Sequence, residues 1–184
     1  MDEINKFRIF NRLKTVYRYN TVEGRKESSA EHSWSCLILA DFFLSKFNMK
    51  LDRLKVYELL MYHDVVEIEA GDSPLHPELE RLDKKEKEQE ASEYFHRELP
   101  FPLNDKFFGL FHEFEEQKTL ESRFAMAIGA LDAEIHELDY KQDWNGWTEK
   151  FLVEKKSHLF NDFPEMKKVF YDLLKYLIEN GYFS

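Results

Sequence analysis

An all-α fold is predicted by three features of this sequence: few turn-forming residues, abundant bulky apolar residues and long stretches of helical periodicity. The 184 residues include only 6 Gly and 5 Pro, which leaves few places where a long helix would have to end. The 17 Phe, 9 Tyr and 3 Trp supply bulky side chains for a core. A chain of this length and composition is expected to form one domain across residues 1–184.

Charge and cysteine content disfavour several classes of protein. The formal net charge of -10 argues against nucleic acid and anionic membrane surfaces as partners. Cys36 is the only cysteine, so no internal disulfide can form, and its apolar neighbours predict that it packs as a small hydrophobic residue. The longest apolar stretch, Trp34 to Leu44, is too short for a membrane span and contains Asp41. Because the N-terminal residues also lack an apolar signal region, we predict a cytoplasmic protein.

Capping residues and apolar stripes predict the order of the helices. After an N-terminal helical stretch, Ser28 and Glu31 form a capping box for a helix that ends near Phe47. Asp52 caps a second helix over residues 53–70, and Gly71 is expected to end it at the C′ position. Further helices are predicted over residues 78–98, 104–117, 119–140, 148–158 and 162–180. The last two are expected to be structural helices that follow a motif-bearing core at about residues 13–140.

The apolar stripe of the second helix changes to polar residues in its C-terminal half. Val56, Leu60, His63 and Glu67 share one helical face, although Val65 beside them argues against a helix that simply emerges into solvent. This pattern predicts a buried polar pocket. His32, one turn after the capping box of the preceding helix, is expected to project into the same interior.

The residues of this pocket have the spacing of a metal site built for hydrolysis. His63 and Asp64 are consecutive, so in a helix they point about 100° apart and can reach one cation from two directions, while His32 supplies a third. Glu67 lies one turn after them, where its carboxylate is placed to contact a water rather than the metal. The alternative for such a pair is an ordinary buried His–Asp contact that satisfies both side chains.

Positive charge is concentrated just before His32. Arg18, Arg25 and Lys26 occur within nine residues in an otherwise acidic chain. This local charge would suit a small phosphate substrate, with Arg18 and Arg25 as binding residues. The alternative is that these residues are solvated surface charges.

Four short motifs, in this order and with these gaps, carry a resemblance to a known family. They are Glu31-His32-Ser33-Trp34, His63-Asp64-Val65-Val66-Glu67, Gly71-Asp72-Ser73-Pro74 and Glu121-Ser122-Arg123. Together they resemble the HD-domain metal-dependent phosphohydrolases, and within them the small deoxyribonucleoside 5′-monophosphate phosphatases, over about residues 13–138. The resemblance implies a single HD-domain helical bundle, here with extra C-terminal helices, and a homodimer. It also implies one divalent cation held by two histidines and two aspartates, which serves to cleave a nucleotide phosphate monoester.

The resemblance also implies roles for individual residues. His32, His63 and Asp64 match the family's metal ligands, and Glu67 matches the acidic residue that engages the attacking water. Arg18 resembles the arginine that contacts the substrate phosphate, so Glu67, Asp64 and Arg18 form the expected catalytic set. Imidazole and carboxylate ligands favour Mn, Co, Fe, Ni or Zn, with Mg also possible.

Three positions concern the sugar and the fourth metal ligand. Asp72 resembles the carboxylate that meets the sugar hydroxyl, and Tyr19 is a substrate-binding residue where similar proteins often have a Trp associated with excluding a ribose hydroxyl. Gly129 stands where similar proteins have the fourth ligand, an Asp. Asp132 is the nearest carboxylate, about one turn or ~4.5 Å further along the same face, and is predicted to replace that ligand. The alternative is a site with three protein ligands.

The leading functional prediction is a metal-dependent phosphohydrolase that removes phosphate from a nucleoside 5′-monophosphate or a similar small phosphate ester. One alternative is a hydrolase of the same superfamily that acts on a nucleoside triphosphate or a signalling nucleotide and releases pyrophosphate or triphosphate. The other is a degenerate domain that binds a nucleotide or a protein without turnover, which the Gly at position 129 favours.

Overall fold

The predicted helical fold is confirmed by a computed structural model, which describes residues 1–79 and 82–183. The helices are α1 Asp2–Phe7, α2 Ser29–Lys46, α3 Arg53–Tyr62, α4 Glu67–Ala70, α5 Lys84–Glu98, α6 Leu103–Glu116, α7 Leu120–His136, α8 Glu149–Lys156 and α9 Pro164–Glu179. Short 3-10 helices cover Arg8–Thr15, Glu137–Asp139, Lys141–Trp144 and Ser157–Phe160. Residues 80 and 81, which belong to the helix predicted over 78–98, lie outside the described residues.

The capping box at the start of α2 is confirmed. The Ser28 hydroxyl accepts a hydrogen bond from the backbone N–H of Glu31, and the Glu31 carboxylate accepts one from the backbone N–H of Ser28 at 2.8 Å. These two bonds satisfy backbone donors that have no partner within the helix. The start of α2, and with it the position of His32 one turn later, is therefore fixed by local sequence.

A β-hairpin precedes α2, where the sequence analysis predicted only helix. Strands β1 Tyr17–Val22 and β2 Arg25–Ser28 pair antiparallel through a two-residue turn. Glu23 and Gly24 of that turn have φ values of 44° and 81°, the left-handed conformation that matches the twist of a tight hairpin. The hairpin brings Arg18, on β1, into the helical bundle, with the half-buried Tyr19 beside it.

The prediction of one helix over residues 53–70 is also wrong in one respect, because the chain forms two helices there, α3 and α4. Between them the backbone N–H of Val65 donates to Tyr62 O at 3.1 Å and that of Glu67 donates to Asp64 O at 3.0 Å. These bonds span three residues instead of four, so the chain is more tightly wound around His63 and Asp64. Gly71, with φ of 75°, ends α4 as predicted.

The core places the site at the junction of α2, α3 and α7, which pack against one another. Cys36 and Phe43 of α2, Leu60 of α3 and Ile128 of α7 belong to one buried cluster, and Phe170 of α9 joins them. A second cluster packs α4 against α5 and α6. Across the described part of the chain, no helix combines the length and apolar character needed to cross a bilayer.

Candidate metal centre and its cavity

A cavity of about 250 Å³ opens where β1, α2, α4 and α7 meet. The residues predicted for the site that line it are Arg18, Tyr19, His32, His63, Asp64, Glu67 and Asp72. The fold therefore brings together seven of the nine residues to which the sequence analysis gave a role at the site. The other two, Asp132 and Arg25, lie outside this lining.

The rings of His32 and His63 are held with their Nε2 atoms near the same point. His63 Nδ1 donates to Leu60 O at 2.7 Å, and His32 Nδ1 donates to Asp132 Oδ2 at 3.0 Å. A Cβ atom placed on Gly129 would lie 3.9 Å from His32 Nε2 and 4.0 Å from His63 Nε2. In a neutral imidazole whose Nδ1 is the donor, Nε2 carries the lone pair, so in that form both rings can offer Nε2 to one cation.

The polar atoms next to these rings fit a cation. His63 Nε2 and Asp64 Oδ2 are buried and make no hydrogen bond to any described residue. Asp64 Oδ1 lies 3.2 Å from His63 Nε2. With His63 neutral, its Nε2 and Asp64 Oδ1 are two close acceptors with no hydrogen atom between them, an arrangement that is costly in a protein interior. A divalent cation between His32, His63 and Asp64 would satisfy them.

Two of the candidate ligands, His32 and Asp64, have protonation states that suit metal binding. Burial, reinforced by the charge of Arg18, lowers the pKa of His32 to about 4, so this imidazole is neutral near pH 7. Burial alone would raise the pKa of Asp64, but His63, His32 and Arg18 outweigh it and hold that pKa below its ordinary value. A neutral imidazole and an ionised carboxylate are the forms that coordinate a metal.

Cys36 is a third potential donor close to the two histidines. Its Sγ lies 3.5 Å from His32 Nε2 and 3.7 Å from His32 Nδ1, and donor atoms of His32, Cys36 and His63 fall within 4.8 Å of one another. The similar distances to both ring nitrogens place the sulfur beside the ring rather than along the Nε2 lone pair. Burial raises the pKa of the Cys36 thiol well above its ordinary value, which favours the neutral thiol.

Glu67 lies beside the candidate metal centre in a setting that favours its protonated form. Its Oε2 accepts a hydrogen bond from Ser29 Oγ at 2.6 Å, and its carboxyl group also interacts with that of Asp72. Burial, followed by the charge of Asp64, raises the pKa of Glu67 well above its ordinary value. Burial likewise raises the pKa of Asp72. A carboxyl group with a raised pKa is a stronger base when it is ionised and can donate a proton when it is protonated.

Arg18 supplies positive charge among these carboxylates. Its side chain is only 14% exposed, and its Nη1 lies 3.5 Å from Asp64 Oδ2 and 3.9 Å from Asp72 Oδ1. Its Nε lies 3.3 Å from Glu27 Oε2. Burial alone would lower the pKa of Arg18, but the surrounding carboxylates outweigh it, so the guanidinium stays charged. A permanent cation is thus held next to an expected metal ligand.

Contacts with the end of α7 and the loop after it position the hairpin. Asn20 Nδ2 donates to Glu137 Oε1 at 2.8 Å, and the backbone N–H of Thr21 donates to Asp143 Oδ2 at 2.7 Å. His136 Nε2 donates to Thr21 O at 2.7 Å. These bonds fix β1 just after Arg18 and Tyr19, so the placement of both side chains depends on residues more than a hundred positions away in sequence.

Arg25, which the sequence analysis placed with the substrate, points elsewhere. Its guanidinium makes hydrogen bonds of 2.9 and 2.5 Å to the Glu31 carboxylate at the surface. This ion pair lowers the pKa of Glu31 to about 2 and supports the capping box of α2. Arg25 therefore stabilises the N-terminus of α2, the helix that carries His32.

Several cavity residues had no recognised motif in the sequence. They include Lys84 of α5, Glu134 of α7, Trp147 of the following loop and Lys156 of α8. One feature of the sequence could have indicated this part of the cavity. Small residues along one helix face leave room beside the helix, and α7 has Gly129, Ala130 and Ala133 along the cavity. The helices after residue 148 were predicted to be purely structural, yet α8 contributes Lys156 to the cavity wall.

Comparison with known proteins supports the resemblance on which the site was predicted. The curated relatives include the 5′-deoxynucleotidase HDDC2 of Xenopus laevis, 26% identical over 129 residues, which are 70% of this chain and 62% of that protein. The human protein of the same name is 24% identical over 138 residues, which are 73% of this chain and 66% of that protein. The chain therefore spans a little under two thirds of the length of these relatives.

Solved structures show the same fold. A structure described as a predicted metal-dependent phosphohydrolase from Magnetospirillum magnetotacticum matches with a TM-score of 0.87 and 26% identity, covering 100% of this chain and 94% of that one. An HD-domain phosphohydrolase from Listeria innocua matches with a TM-score of 0.62 and 22% identity, covering 96% and 85%. The sequence pattern of the family described as "HD domain" matches residues 10–167. This chain belongs to the HD-domain family.

Proposed function

We propose that this protein is a metal-dependent phosphohydrolase that removes phosphate from a nucleoside 5′-monophosphate. The observation that carries the proposal is the convergence of the His32 and His63 Nε2 atoms and the Asp64 carboxylate beside the buried guanidinium of Arg18. Metal ligands next to a fixed cation suit a substrate whose reacting group is an anion. The curated relatives named 5′-deoxynucleotidase support the nucleotide as that substrate.

His32, His63 and Asp64 would hold one divalent cation. Nitrogen and oxygen donors favour Mn, Co, Fe, Ni or Zn over ions that prefer sulfur. When bound, such a cation offsets charge on phosphoryl oxygens and makes water a stronger acid near neutral pH. Asp132, predicted as a further ligand, has one carboxylate oxygen committed to His32 and Ser35.

The protein residues supply phosphate binding and proton transfer. Arg18 binds the phosphoryl oxygens, since its guanidinium can donate two parallel hydrogen bonds to an anion. Glu67 takes a proton from the attacking water and returns one to the departing 5′ oxygen, a double role that its raised pKa favours. The Ser29 hydroxyl, bonded to Glu67 Oε2 at 2.6 Å, keeps that carboxyl group in one orientation.

Asp72 and Tyr19 are proposed to contact the sugar. Asp72 lies at the cavity wall next to Arg18, so a sugar hydroxyl would meet its carboxyl group when the phosphate meets the guanidinium. The ring of Tyr19 is held between His76, at 5.0 Å between ring centres, and Lys26, at 4.5 Å from the ring centre. Its fixed position would limit the space beside the sugar.

The test is phosphate release from deoxynucleoside and ribonucleoside 5′-monophosphates by metal-loaded protein, with 4-nitrophenyl phosphate as a substrate that has no sugar. Arg18→Ala should lower kcat/KM for every phosphate ester. Asp72→Asn should lower it for the nucleotides and spare 4-nitrophenyl phosphate. Equal losses on both substrates for Asp72→Asn would reject the sugar contact. Pyrophosphate or triphosphate as the product from nucleoside triphosphates would instead indicate the longer-chain activity.

A homodimer is proposed as the form of the protein in solution. Trp34, Ile38 and Phe42 are spaced four residues apart along α2, and each is between 50% and 65% exposed. Such an apolar stripe on a surface helix is typical of a protein–protein interface. Light scattering of the protein and of Trp34→Lys, in which the stripe is interrupted, should give a dimeric mass for the first and a monomeric mass for the second.

A further inference from the structure

The cavity continues past the metal centre along α7 to a second, buried group of polar side chains. Glu134, Trp147 and Lys156 line this part of the wall. The facing part of α7 leaves this space open, because Gly129 has no side chain and those of Ala130 and Ala133 are small. We call the region bounded by Glu134, Trp147 and Lys156 the distal pocket.

Two buried groups in the distal pocket lack hydrogen-bond partners. Glu134 is 1% exposed, and while its Oε1 accepts a bond from Lys156 Nζ, its Oε2 has no partner among residues 1–79 and 82–183. Trp147 is 3% exposed, and its Nε1 likewise makes no hydrogen bond within those residues. Buried polar groups are nearly always paired in proteins, so an acceptor and a donor left open on one cavity wall indicate a ligand.

The charges at the two ends of the cavity differ. Arg18 and Lys84 stand near Asp64 and Glu67 at the metal centre. In the distal pocket the ammonium group of Lys156 is neutralised by its ion pair with Glu134 and also donates to Ala130 O at 3.2 Å. Lys155 is half-buried, and its ammonium lies 5.5 Å from the centre of the Phe151 ring. The metal end therefore suits a phosphate, and the distal pocket suits a neutral group with hydrogen-bonding atoms.

A nearby carboxyl group reinforces this difference. Glu137 lines the same wall, and burial followed by the charge of Glu134 raises its pKa well above the ordinary value. A carboxyl group that resists ionisation marks a place where additional negative charge is unfavourable. A second phosphate is therefore a poor occupant of the distal pocket.

We propose that the distal pocket binds the nucleobase of the substrate, with Glu134 Oε2 accepting a base N–H and Trp147 Nε1 donating to a ring nitrogen or carbonyl oxygen. This inference rests on the proposed function and names the part of the substrate that the cavity recognises beyond the phosphate. Nucleobases are neutral, planar and carry donors next to acceptors on one edge, which matches the open acceptor and donor of the wall.

The test compares nucleotides with a substrate that has no base. kcat/KM is measured for the deoxynucleoside 5′-monophosphates and for 2-deoxyribose 5-phosphate, in the unmodified protein, Glu134→Gln and Trp147→Phe. Glu134→Gln replaces the open acceptor with a donor of the same shape, and Trp147→Phe removes the donor but keeps the Glu134–Lys156 ion pair. Each should lower kcat/KM about tenfold for at least one nucleotide, as expected for one hydrogen bond, and change the value for 2-deoxyribose 5-phosphate less than about twofold.

The proposal has a second, independent measurement. Titration calorimetry with deoxynucleosides, which lack phosphate, should detect binding that Trp147→Phe weakens, and circular dichroism checks that each variant is folded. Hydrolysis of 2-deoxyribose 5-phosphate as efficient as that of the nucleotides, with no nucleoside binding, would overturn the distal pocket but leave the proposed function intact. No phosphate release from any substrate would reject the proposed function, and the calorimetry would then decide the base site by itself.

Discussion

Asp132 Oδ2 lies 3.0 Å from His32 Nδ1, on the side of the ring away from the Nε2 that faces the cavity. The same oxygen accepts a hydrogen bond from Ser35 Oγ at 2.6 Å. Hydrogen bonding to His32 and Ser35 lowers the pKa of Asp132 against the opposing effect of burial, so this carboxylate stays ionised. A carboxylate bound to Nδ1 fixes the tautomer and orientation of a metal-binding imidazole.

Substitution of Asp132 separates this orienting role from the predicted role as a metal ligand. Asp132→Ala should weaken metal binding about 10- to 100-fold, the range found when an orienting partner of a ligand is removed. Asp132→Asn keeps an acceptor for His32 and should retain affinity within about tenfold. Isothermal titration with Mn²⁺ or Zn²⁺ gives these affinities. An Asn variant as weak as the Ala variant would instead favour direct coordination by Asp132.

Gly129 offers a gain-of-function test of the metal centre. Among the described residues, the atoms that a Cβ at this position would meet within 4 Å are His32 Nε2 at 3.9 Å and His63 Nε2 at 4.0 Å, which are ordinary contact distances. Gly129→Asp should therefore fit and add an anionic oxygen beside the ligands, so it should tighten metal binding. Gly129→Ala is the matched control. It adds the Cβ, and its higher helix propensity stabilises α7 by about 1 kcal/mol, but it adds no metal-binding atom. Equal metal affinity in the two variants would contradict the placement of the cation.

The parts of the fold that the sequence predicted are those that local interactions determine. The capping box of Ser28 and Glu31 sets the start of α2, and Gly71 ends α4, because each depends only on neighbours in sequence. The hairpin was missed because its turn, Glu23-Gly24, lacks the Asn-Gly or Asp-Gly pair that marks most tight hairpins. The break after Tyr62 was missed because apolar periodicity alone does not reveal where bonds shift from four residues to three.

The same distinction between local sequence patterns and long-range packing applies to the candidate site. Motif order and spacing predicted that His32, His63, Asp64 and Glu67 would lie together, although the helix predicted to contain His63 and Glu67 is broken between them. Asp132, predicted as a further ligand, instead contacts His32 Nδ1. The distal pocket was not predicted, because its wall joins Glu134, Trp147 and Lys156 through packing of α7 against segments that follow it. Nor did charge alone show that Arg25 would pair with Glu31 while Arg18 entered the cavity.

Removal of the Glu67 carboxylate should impair turnover without removing the metal. Glu67→Gln keeps the size of the side chain and an acceptor for Ser29 Oγ, but it cannot take a proton from water. Turnover should fall at least about 100-fold, within the range for positioned acid–base groups. Metal content measured on the same sample should equal that of the unmodified protein. Loss of the metal together with activity would show that Glu67 is a ligand.

The raised pKa of Glu137 predicts how stability depends on pH. Burial, followed by the charge of Glu134, keeps this carboxyl group protonated above its ordinary pKa of 4.5. Above that pH the folded protein retains a proton that the unfolded chain releases, so the contribution of Glu137 to stability is complete at low pH and is lost as pH rises.

Glu137→Gln should remove this dependence, since the amide keeps an acceptor for Asn20 Nδ2 and does not ionise. The difference in Tm between Glu137→Gln and the unmodified protein should become more positive as pH rises from about 5 to about 8. Thermal unfolding followed by circular dichroism gives this difference. A difference that is constant with pH would contradict the assignment of a raised pKa to Glu137.

In the proposed mechanism, His32, His63 and Asp64 hold the cation on which phosphate release depends. The most direct measurement is the release of inorganic phosphate from a deoxynucleoside 5′-monophosphate as Mn²⁺ is added back to chelator-treated protein, with His63→Ala titrated in parallel. We expect no release before metal is added, recovery in the unmodified protein, and no recovery in the folded variant at the same Mn²⁺ concentrations. Recovery of His63→Ala with the same metal dependence as the unmodified protein would contradict this mechanism.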